Sequence, residues 1–235
     1  RTILSASSLL STFVLLHLCF TMLIVPSLNL SLNKQITVGP IHFVKMGLNN
    51  QTDGVYLHED VLFSGSFGTK EEQNAANIEV IQKRLDDFGF KGYLEFLTRK
   101  GLVNFNNGSF AWADEGTFYY DLYNKTSLLA YGLLAYYYSF GFLHILFLTF
   151  SQMLWLVVLL GAFFFSFVQP IEAKKQAQAA IIRLSLLGLI IYVMLFEARA
   201  RYLYVFVPYF IISSVLGYRW LINTIKEKRL QRIRG

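Results

Sequence analysis

Runs of apolar residues that carry almost no charge flank one segment of ordinary, charged composition. One run ends near Pro26, and three more lie between residues 142 and 223. Each is close to the ~20 apolar residues that a helix needs to cross the hydrocarbon core of a bilayer. The pattern therefore predicts an all-α membrane protein with about four transmembrane helices and a helical, loop-rich extracytoplasmic domain between the first and the second.

The boundaries follow from the positions at which proline, charge and tyrosine interrupt the apolar runs. Four tyrosines between residues 131 and 138 are typical of a membrane–water interface. The predicted segments are transmembrane helix 1 (1–28), the extracytoplasmic domain (29–126), an interfacial or re-entrant helix (127–141), transmembrane helix 2 (142–169), a cytoplasmic loop (170–179), transmembrane helix 3 (180–197), an outer turn (198–201), transmembrane helix 4 (202–223) and a basic cytoplasmic tail (224–235).

The distribution of positive charge orients these segments. Lys174, Lys175 and the basic tail favour the cytoplasmic side, because short cytoplasmic loops carry an excess of Lys and Arg. Residues 29–126 are then extracytoplasmic. Much of the net charge of +6 lies in the tail. A basic segment directly after a transmembrane helix attracts anionic lipids, so we expect membrane lipids as partners and no nucleic acid.

Within the extracytoplasmic domain, apolar residues recur at helical spacing between Thr69 and Phe88. Thr69 is a good N-cap, Gly89 is a typical residue just beyond a helix end, and Arg84 is expected on a face other than the apolar one. A second, shorter helix is predicted from Tyr93 to Arg99.

Three polar clusters are candidates for chemistry. The first is His58-Glu59-Asp60, which is interpreted as a solvated loop or a helix-capping carboxylate, with a substrate-facing loop as the alternative. Adjacent residues rarely converge on one ion, and no metal-ligand spacing surrounds them, so no metal ligand is assigned. His42, beside apolar residues, is expected to be a packed histidine.

The second cluster is Asp114-Glu115, which lies between Trp112 and the aromatic run Phe118-Tyr119-Tyr120. Carboxylates flanked by aromatic rings suit a sugar, since rings pack on pyranose faces and carboxylates accept hydrogen bonds from hydroxyls. The same residues also describe an aromatic belt that anchors the domain to lipid, and this is the favoured interpretation.

The third cluster is Glu197, Arg199 and Arg201, at the predicted outer boundary of the membrane. The two arginines violate the positive-inside rule, and two explanations remain open. They snorkel at a helix end, or they bind a lipid-linked phosphate, with Glu197 orienting one of the guanidinium groups.

Several segments resemble large membrane proteins of low-GC Gram-positive bacteria that are similar to the C-type glycosyltransferases. This superfamily includes the protein O-mannosyltransferases and the lipid A aminoarabinose transferase. The resemblance is carried by His42-Phe43-Val44-Lys45-Met46-Gly47-Leu48-Asn49, by residues 50–56 and Glu59-Asp60-Val61, by residues 78–89 with Gly92-Tyr93-Leu94-Glu95-Phe96-Leu97, by residues 112–118 and by residues 197–204.

This resemblance implies the C-terminal part of a polytopic enzyme in the bacterial cytoplasmic membrane. Such an enzyme moves a sugar from a polyprenyl-phosphate donor to an extracytoplasmic acceptor, and some members use a divalent metal ion. It implies a donor-phosphate role for Arg199 and Arg201. It also implies a catalytic carboxylate in a first extracytoplasmic loop that we expect upstream of Arg1, because the chain starts directly before an apolar run. A cleaved signal peptide is the alternative for that run.

Two other functions remain open from the residues alone. The first is a transporter or flippase for a lipid-linked sugar, which would share the phosphate-binding arginines. The second is a non-catalytic cell-envelope sensor or assembly protein, in which residues 29–126 bind a partner.

Overall fold

The structure is a computed structural model that describes residues 11–12, 14–28, 37–112, 127–169 and 172–234. Within these ranges the chain is helical and contains no strand, which confirms the predicted fold class. The helices, numbered in chain order, are α1 (Val14–Ser27), α2 (Pro40–Gly47), α3 (His58–Gly65), α4 (Lys70–Phe105), α5 (Leu128–Tyr137), α6 (His144–Phe165), α7 (Ala173–Leu195) and α8 (Val207–Arg234), and a 3-10 helix (Ala200–Phe206) leads directly into α8.

Within the described ranges, three helical units are long and apolar enough to cross a membrane: α6, α7, and the 3-10 helix together with α8. Only 11 to 22% of the residues in their most apolar windows are buried within the protein, so most of their side chains face outward, as lipid contact requires. α1 is also apolar but shorter within the described residues, which omit positions 1–10. The predicted first span therefore stays a prediction.

Two helices extend beyond the predicted limits of the spans. α7 begins at Ala173, so Lys174 and Lys175 belong to its first turn and not to an irregular loop. α8 continues to Arg234, so the basic tail is a helical extension of the last span. Between α7 and the 3-10 helix the backbone is extended at Phe196 and Arg199.

Small residues bring α6 and α8 into close contact. A methyl group added at Gly217 would collide with the backbone of Gly161 and Phe165, and one added at Gly161 would collide with Ser214. Tyr218 donates a hydrogen bond to the carbonyl of Val157, with 2.8 Å between the oxygens. Small residues are the usual means by which membrane helices approach one another, because no water is expelled to drive their association.

α4 is a long helix with one sharp kink. The Thr69 hydroxyl accepts from the amide of Glu72, and the Glu72 carboxylate accepts from the amide of Thr69, which confirms the predicted cap as a complete capping box. Gly89 adopts a left-handed backbone (φ 57°) where the helix was expected to end, but the helix resumes and runs on to Phe105. The second helix is therefore longer than the prediction of Tyr93–Arg99.

The apolar core lies where the end of α4 meets the three long helices. Its buried side chains are Trp155, Leu189, Val193, Leu203 and Phe210. The indole N–H of Trp155 donates to the carbonyl of Phe105 at 2.8 Å, which fixes the end of α4 against α6. The segment that joins α7 to the 3-10 helix thus lies at the same end of the bundle as α2, α3 and α4, three helices that are not candidate spans and that we call the extramembrane helices.

Candidate functional site

The segment from Phe196 to Arg199 is held by hydrogen bonds from the extramembrane helices. The ammonium of Lys100 donates to the carbonyl of Phe196 (2.7 Å), and the amide of Ala198 donates to the carbonyl of Gly54 (2.7 Å). The amide of Arg199 donates to the side-chain oxygen of Asn104 (3.0 Å). An extended segment between two membrane helices is therefore fixed along its length.

Lys100 lies between the C-termini of two helices. It donates to the carbonyl of Gly47, the last residue of α2, at 2.5 Å, and to the carbonyl of Phe196, which follows α7. The last carbonyls of a helix lack intrahelical partners and carry partial negative charge, so a cation satisfies both ends at once. The side chain is fully buried, and this burial lowers the pKa of the Lys100 ammonium to about 8.

Glu197, Arg199 and Arg201 differ in their surroundings although they are close in sequence. Glu197 is buried, and its carboxylate lies 3.6 Å from Nε of Arg199, whose side chain is about a quarter exposed. Arg201 is exposed, and its guanidinium lies 5.5 Å from the ring centre of Tyr202. The structure thus brings Glu197 and Arg199 together and places Arg201 beside them at the surface.

His58, Glu59 and Asp60 form the first turn of α3, so this segment is helical and both loop interpretations are wrong. The two carboxylates lie at the helix N-terminus, as the helix-capping interpretation requires, but no side chain makes a cap hydrogen bond there. His58 and Glu59 are exposed, and the Tyr56 hydroxyl lies 3.2 Å from Nδ1 of His58. Asp60, by contrast, is buried. It turns inward because three basic or amide side chains surround its carboxylate.

The Asp60 carboxylate is bound by α4 and by α2 with the loop that follows it. Arg84 binds both of its oxygens (2.8 and 3.1 Å), Asn49 donates at 3.0 Å, and Lys45 lies 3.7 Å away. Burial alone would raise the pKa of Asp60, but the hydrogen bonds from Arg84 and Asn49 and the two positive charges outweigh it, so the pKa is lowered. Arg84 faces this carboxylate and not open solvent.

A chain of buried polar groups continues behind Asp60. Lys45 donates to the hydroxyl of Ser64 (2.9 Å), which donates in turn to the side-chain oxygen of Asn77 (2.9 Å). Because the single hydroxyl hydrogen goes to Asn77, the contact of 2.7 Å between Ser64 and Nδ1 of His42 requires a proton on that nitrogen. His42 is packed as expected, and burial together with the charge of Lys45 lowers its pKa.

A cleft of about 440 Å³ opens on the solvent side of this network. Amide groups, carboxylates and aromatic rings line it, including Asn50, Gln51, Glu59, Asp87, Phe63 and Phe88. Asp60 and Arg84 form its inner wall and neutralise each other. The exposed carboxylates of Glu59 and Asp87 therefore set the charge of the cleft, which suits a ligand rich in hydrogen-bond donors.

A comparison with protein families gives one match. The model of a family described as a conserved hypothetical integral membrane protein matches residues 3–220 of the chain. This chain belongs to that family of conserved hypothetical integral membrane proteins. The match includes the cleft, Lys100 with its two carbonyl partners, and residues 196–201, which we call the arginine segment. The chain matches no curated protein and no solved structure.

Membership in the conserved hypothetical integral membrane protein family, together with the apolar helices α6, α7 and α8, supports the prediction of a multi-pass membrane protein. The family description names no activity, so it supports the membrane part of the resemblance and not the glycosyltransferase superfamily. Asp114 and Glu115 lie outside the described residues. Among those described, no three His, Cys, Asp or Glu side chains group closely enough to hold a metal ion.

Lys45, Lys100 and Asn104 were not predicted as site residues from the sequence. A signal for the last two is nevertheless present, because Phe96, Lys100 and Asn104 recur every four residues and are all fully buried. A polar residue on an otherwise apolar helix face indicates a buried hydrogen bond, for example to a carbonyl or carboxylate of a neighbouring helix.

Proposed function

We propose that this chain is the C-terminal portion of a membrane glycosyltransferase that moves a sugar from a polyprenyl-phosphate donor to an extracytoplasmic acceptor. The observation that carries the proposal is the fixed cationic segment at the end of α7. Arg199 and Arg201 lie where a span ends, on a backbone held by Lys100, Asn104 and Gly54. A fixed backbone beneath these side chains lowers the conformational entropy that their guanidinium groups lose when they bind a phosphate oxygen pair.

The proposed reaction joins C1 of the sugar to an acceptor hydroxyl oxygen and breaks the bond between C1 and the donor phosphate oxygen. The electron pair of the broken bond stays on the phosphate, whose negative charge grows as the bond lengthens. Arg199 and Arg201 stabilise that charge, and Glu197 orients Arg199. The hydroxyl proton passes to a carboxylate base, which the resemblance assigns to a first extracytoplasmic loop.

The cleft beside α3 is the proposed acceptor site. Its amides and the carboxylates of Glu59 and Asp87 accept hydrogen bonds from hydroxyl or amide groups, and Phe63 and Phe88 offer apolar faces. Asp60 is buried behind the cleft and positions Arg84 and not the acceptor. In this proposal, residues 29–126 lie on the extracytoplasmic side of the cytoplasmic membrane, and the basic tail lies on the cytoplasmic side.

Turnover of a polyprenyl-phosphate sugar by the full-length protein in lipid nanodiscs tests this function. Replacement of Arg199 or Arg201 by alanine should lower turnover and donor binding by about 10- to 100-fold, the size of a lost charge-assisted contact to phosphate. Lys91→Ala is the matched control, because its side chain is 91% exposed on α4 and lies outside both sites. Turnover and donor binding unchanged in both arginine variants would refute the assignment.

Two further outcomes separate the site from the reaction. Glu59→Gln combined with Asp87→Asn should reduce transfer to the acceptor while donor binding stays at the wild-type level. Donor binding that depends on the arginines, with no transfer to any acceptor but movement of the lipid between leaflets, would replace the transferase by a flippase.

A further inference from the structure

A second cavity, of about 790 Å³, opens between α7 and α8 at the end of the bundle opposite to the arginine segment. About 23 residues of helix separate Ala200 from Asn223. With a rise of about 2.0 Å per residue in the 3-10 helix and about 1.5 Å in α8, the two ends are roughly 38 Å apart. That distance is the thickness of the bilayer core and part of its interface. The cavity is therefore distinct from both sites described above.

The chemistry of the cavity changes from apolar to basic along its length. On α8, Ile212 and Leu216 lie deeper, while Arg219 and Asn223 follow on the same face toward the basic extension. On the antiparallel α7, Ile182 lies deeper and Lys175 lies at the helix start. This order is complementary to an amphiphile, in which an apolar chain is followed by a negatively charged head group.

The surroundings reinforce the charge of the basic end. Residues 172–183 and 219–232 contain eight Lys or Arg and two Glu. Lys175 is paired with Glu172 at 2.6 Å, but both side chains are more than 60% exposed, and an exposed pair of this kind contributes little. A phosphate placed between Lys175 and Arg219 would instead interact with two cations that line the same cavity.

Trp220 lines the cavity, and Arg183 binds the backbone of two other lining residues. Trp220 stacks on Phe167, with ring centres 5.5 Å apart, and tryptophan is a residue type enriched where membrane proteins meet the lipid head groups. Arg183 donates to the carbonyls of Phe165 and Val168 at the end of α6, so its charge serves the protein backbone. Lys175 and Arg219 are the cations among the residues that line the cavity.

We infer that this cavity binds an anionic diacyl phospholipid, with its phosphate between Lys175 and Arg219 and one acyl chain against Ile182 and Ile212. The charge complementarity and the apolar depth of the cavity favour a bulk membrane lipid as occupant. The inference does not depend on the proposed transferase activity, because no residue of either proposed site takes part.

Titration of delipidated full-length protein with phosphatidylglycerol or phosphatidylcholine, followed by native mass spectrometry, tests the inference. The wild type should retain phosphatidylglycerol preferentially. Lys175→Gln and Arg219→Gln should each weaken that binding about five-fold, which corresponds to about 1 kcal/mol per basic residue near an anionic head group. Lys228→Gln, on the same helix beyond the cavity, is the matched control for loss of charge.

A steric pair of variants keeps the test independent of charge. Ile212→Trp should fill the apolar part of the cavity and abolish the preference, whereas Val215→Trp, on an outward face of α8 and 63% exposed, should not. Equal loss in the Arg219 and Lys228 variants would overturn the inference, as would full binding in Ile212→Trp. Preferential retention of polyprenyl phosphate over phosphatidylglycerol at equal concentration would overturn the phospholipid as occupant.

Discussion

Replacement of Lys100 by methionine tests whether a desolvated charge joins the extramembrane helices to α7. The ammonium is fully buried and has a pKa of about 8, and methionine has a similar length without the charge. At pH 7 the variant loses two hydrogen bonds to the carbonyls of Gly47 and Phe196. It also escapes the cost of burying a cation. Because these effects oppose each other, the pH dependence of the difference is more informative than its value at one pH.

The sign of that dependence follows from the direction of the shift. The pKa of Lys100 in the folded state lies below its unfolded value of 10.5, so the unfolded state binds more protons between about pH 8 and 10.5. Stability of the wild type therefore rises with pH in that window. One pKa unit is worth about 1.4 kcal/mol, which gives a gain of about 2 to 3 kcal/mol over the methionine variant between pH 7 and pH 10. The neutral amine still donates to both carbonyls.

The free energy of unfolding is measured by SDS titration in mixed micelles at pH 7 and pH 10, with tryptophan fluorescence as the signal. Trp155 is a suitable reporter, because its indole binds the end of α4. Lys45 has a pKa of about 8 as well, but its contribution is common to both proteins and cancels in the difference. Lys91→Met, at an exposed position, should show no such dependence. A difference between wild type and Lys100→Met that is the same at both pH values would refute the reasoning.

The remaining predictions concern the Asp60 network, the helix interface and the topology. Asp60→Asn should lower the free energy of unfolding by about 3 kcal/mol in the same titration, because buried cations lose their counter-charge; a loss no larger than that of Glu59→Gln would contradict this. Gly217→Val should destabilise the bundle by at least 2 kcal/mol, since its side chain meets the α6 backbone, and a neutral result would exclude the close contact. In a Cys19→Ala background, Lys91→Cys should react with a membrane-impermeant thiol reagent on intact cells, and Lys228→Cys should react only after permeabilisation. The reverse pattern of labelling would show that the topology is opposite to the predicted one.

The helical membrane fold was predictable because its signals are local. Apolar length alone indicates a spanning helix, and the Thr69 capping box is written in four consecutive residues. The end of the helix at Gly89 was predicted less well. A left-handed glycine permits a helix to stop, but whether the chain resumes depends on packing, and Phe96 is fully buried on the continuation.

The internal contacts of the candidate site were not predictable, because they join residues that are distant in sequence. Asp60 is 24 positions from Arg84, and Lys100 is 96 positions from Phe196. From the sequence alone, a carboxylate beside a histidine and a glutamate is expected to be exposed to solvent. The helices that surround it are apparent only in the folded structure. The sequence did identify Glu197 and Arg199 as neighbours, because their contact is local.

Three of the buried or half-buried polar residues donate hydrogen bonds to backbone carbonyls at helix ends. This shared role explains why they are cations or hydrogen-bond donors and not apolar residues. Lys100 binds carbonyls at the ends of α2 and α7, and Arg183 binds carbonyls at the end of α6. Asn104 donates to the carbonyl of Val193 in the last turn of α7. A helix that ends inside the protein leaves carbonyls that water cannot reach, and leaving them unpaired would cost about 1 to 3 kcal/mol each. Positive charge at the C-terminal end of a helix also interacts favourably with the helix dipole. Lys100 and Arg183, each in a largely apolar helix face, are therefore better interpreted as caps of neighbouring helices than as ligand-binding groups.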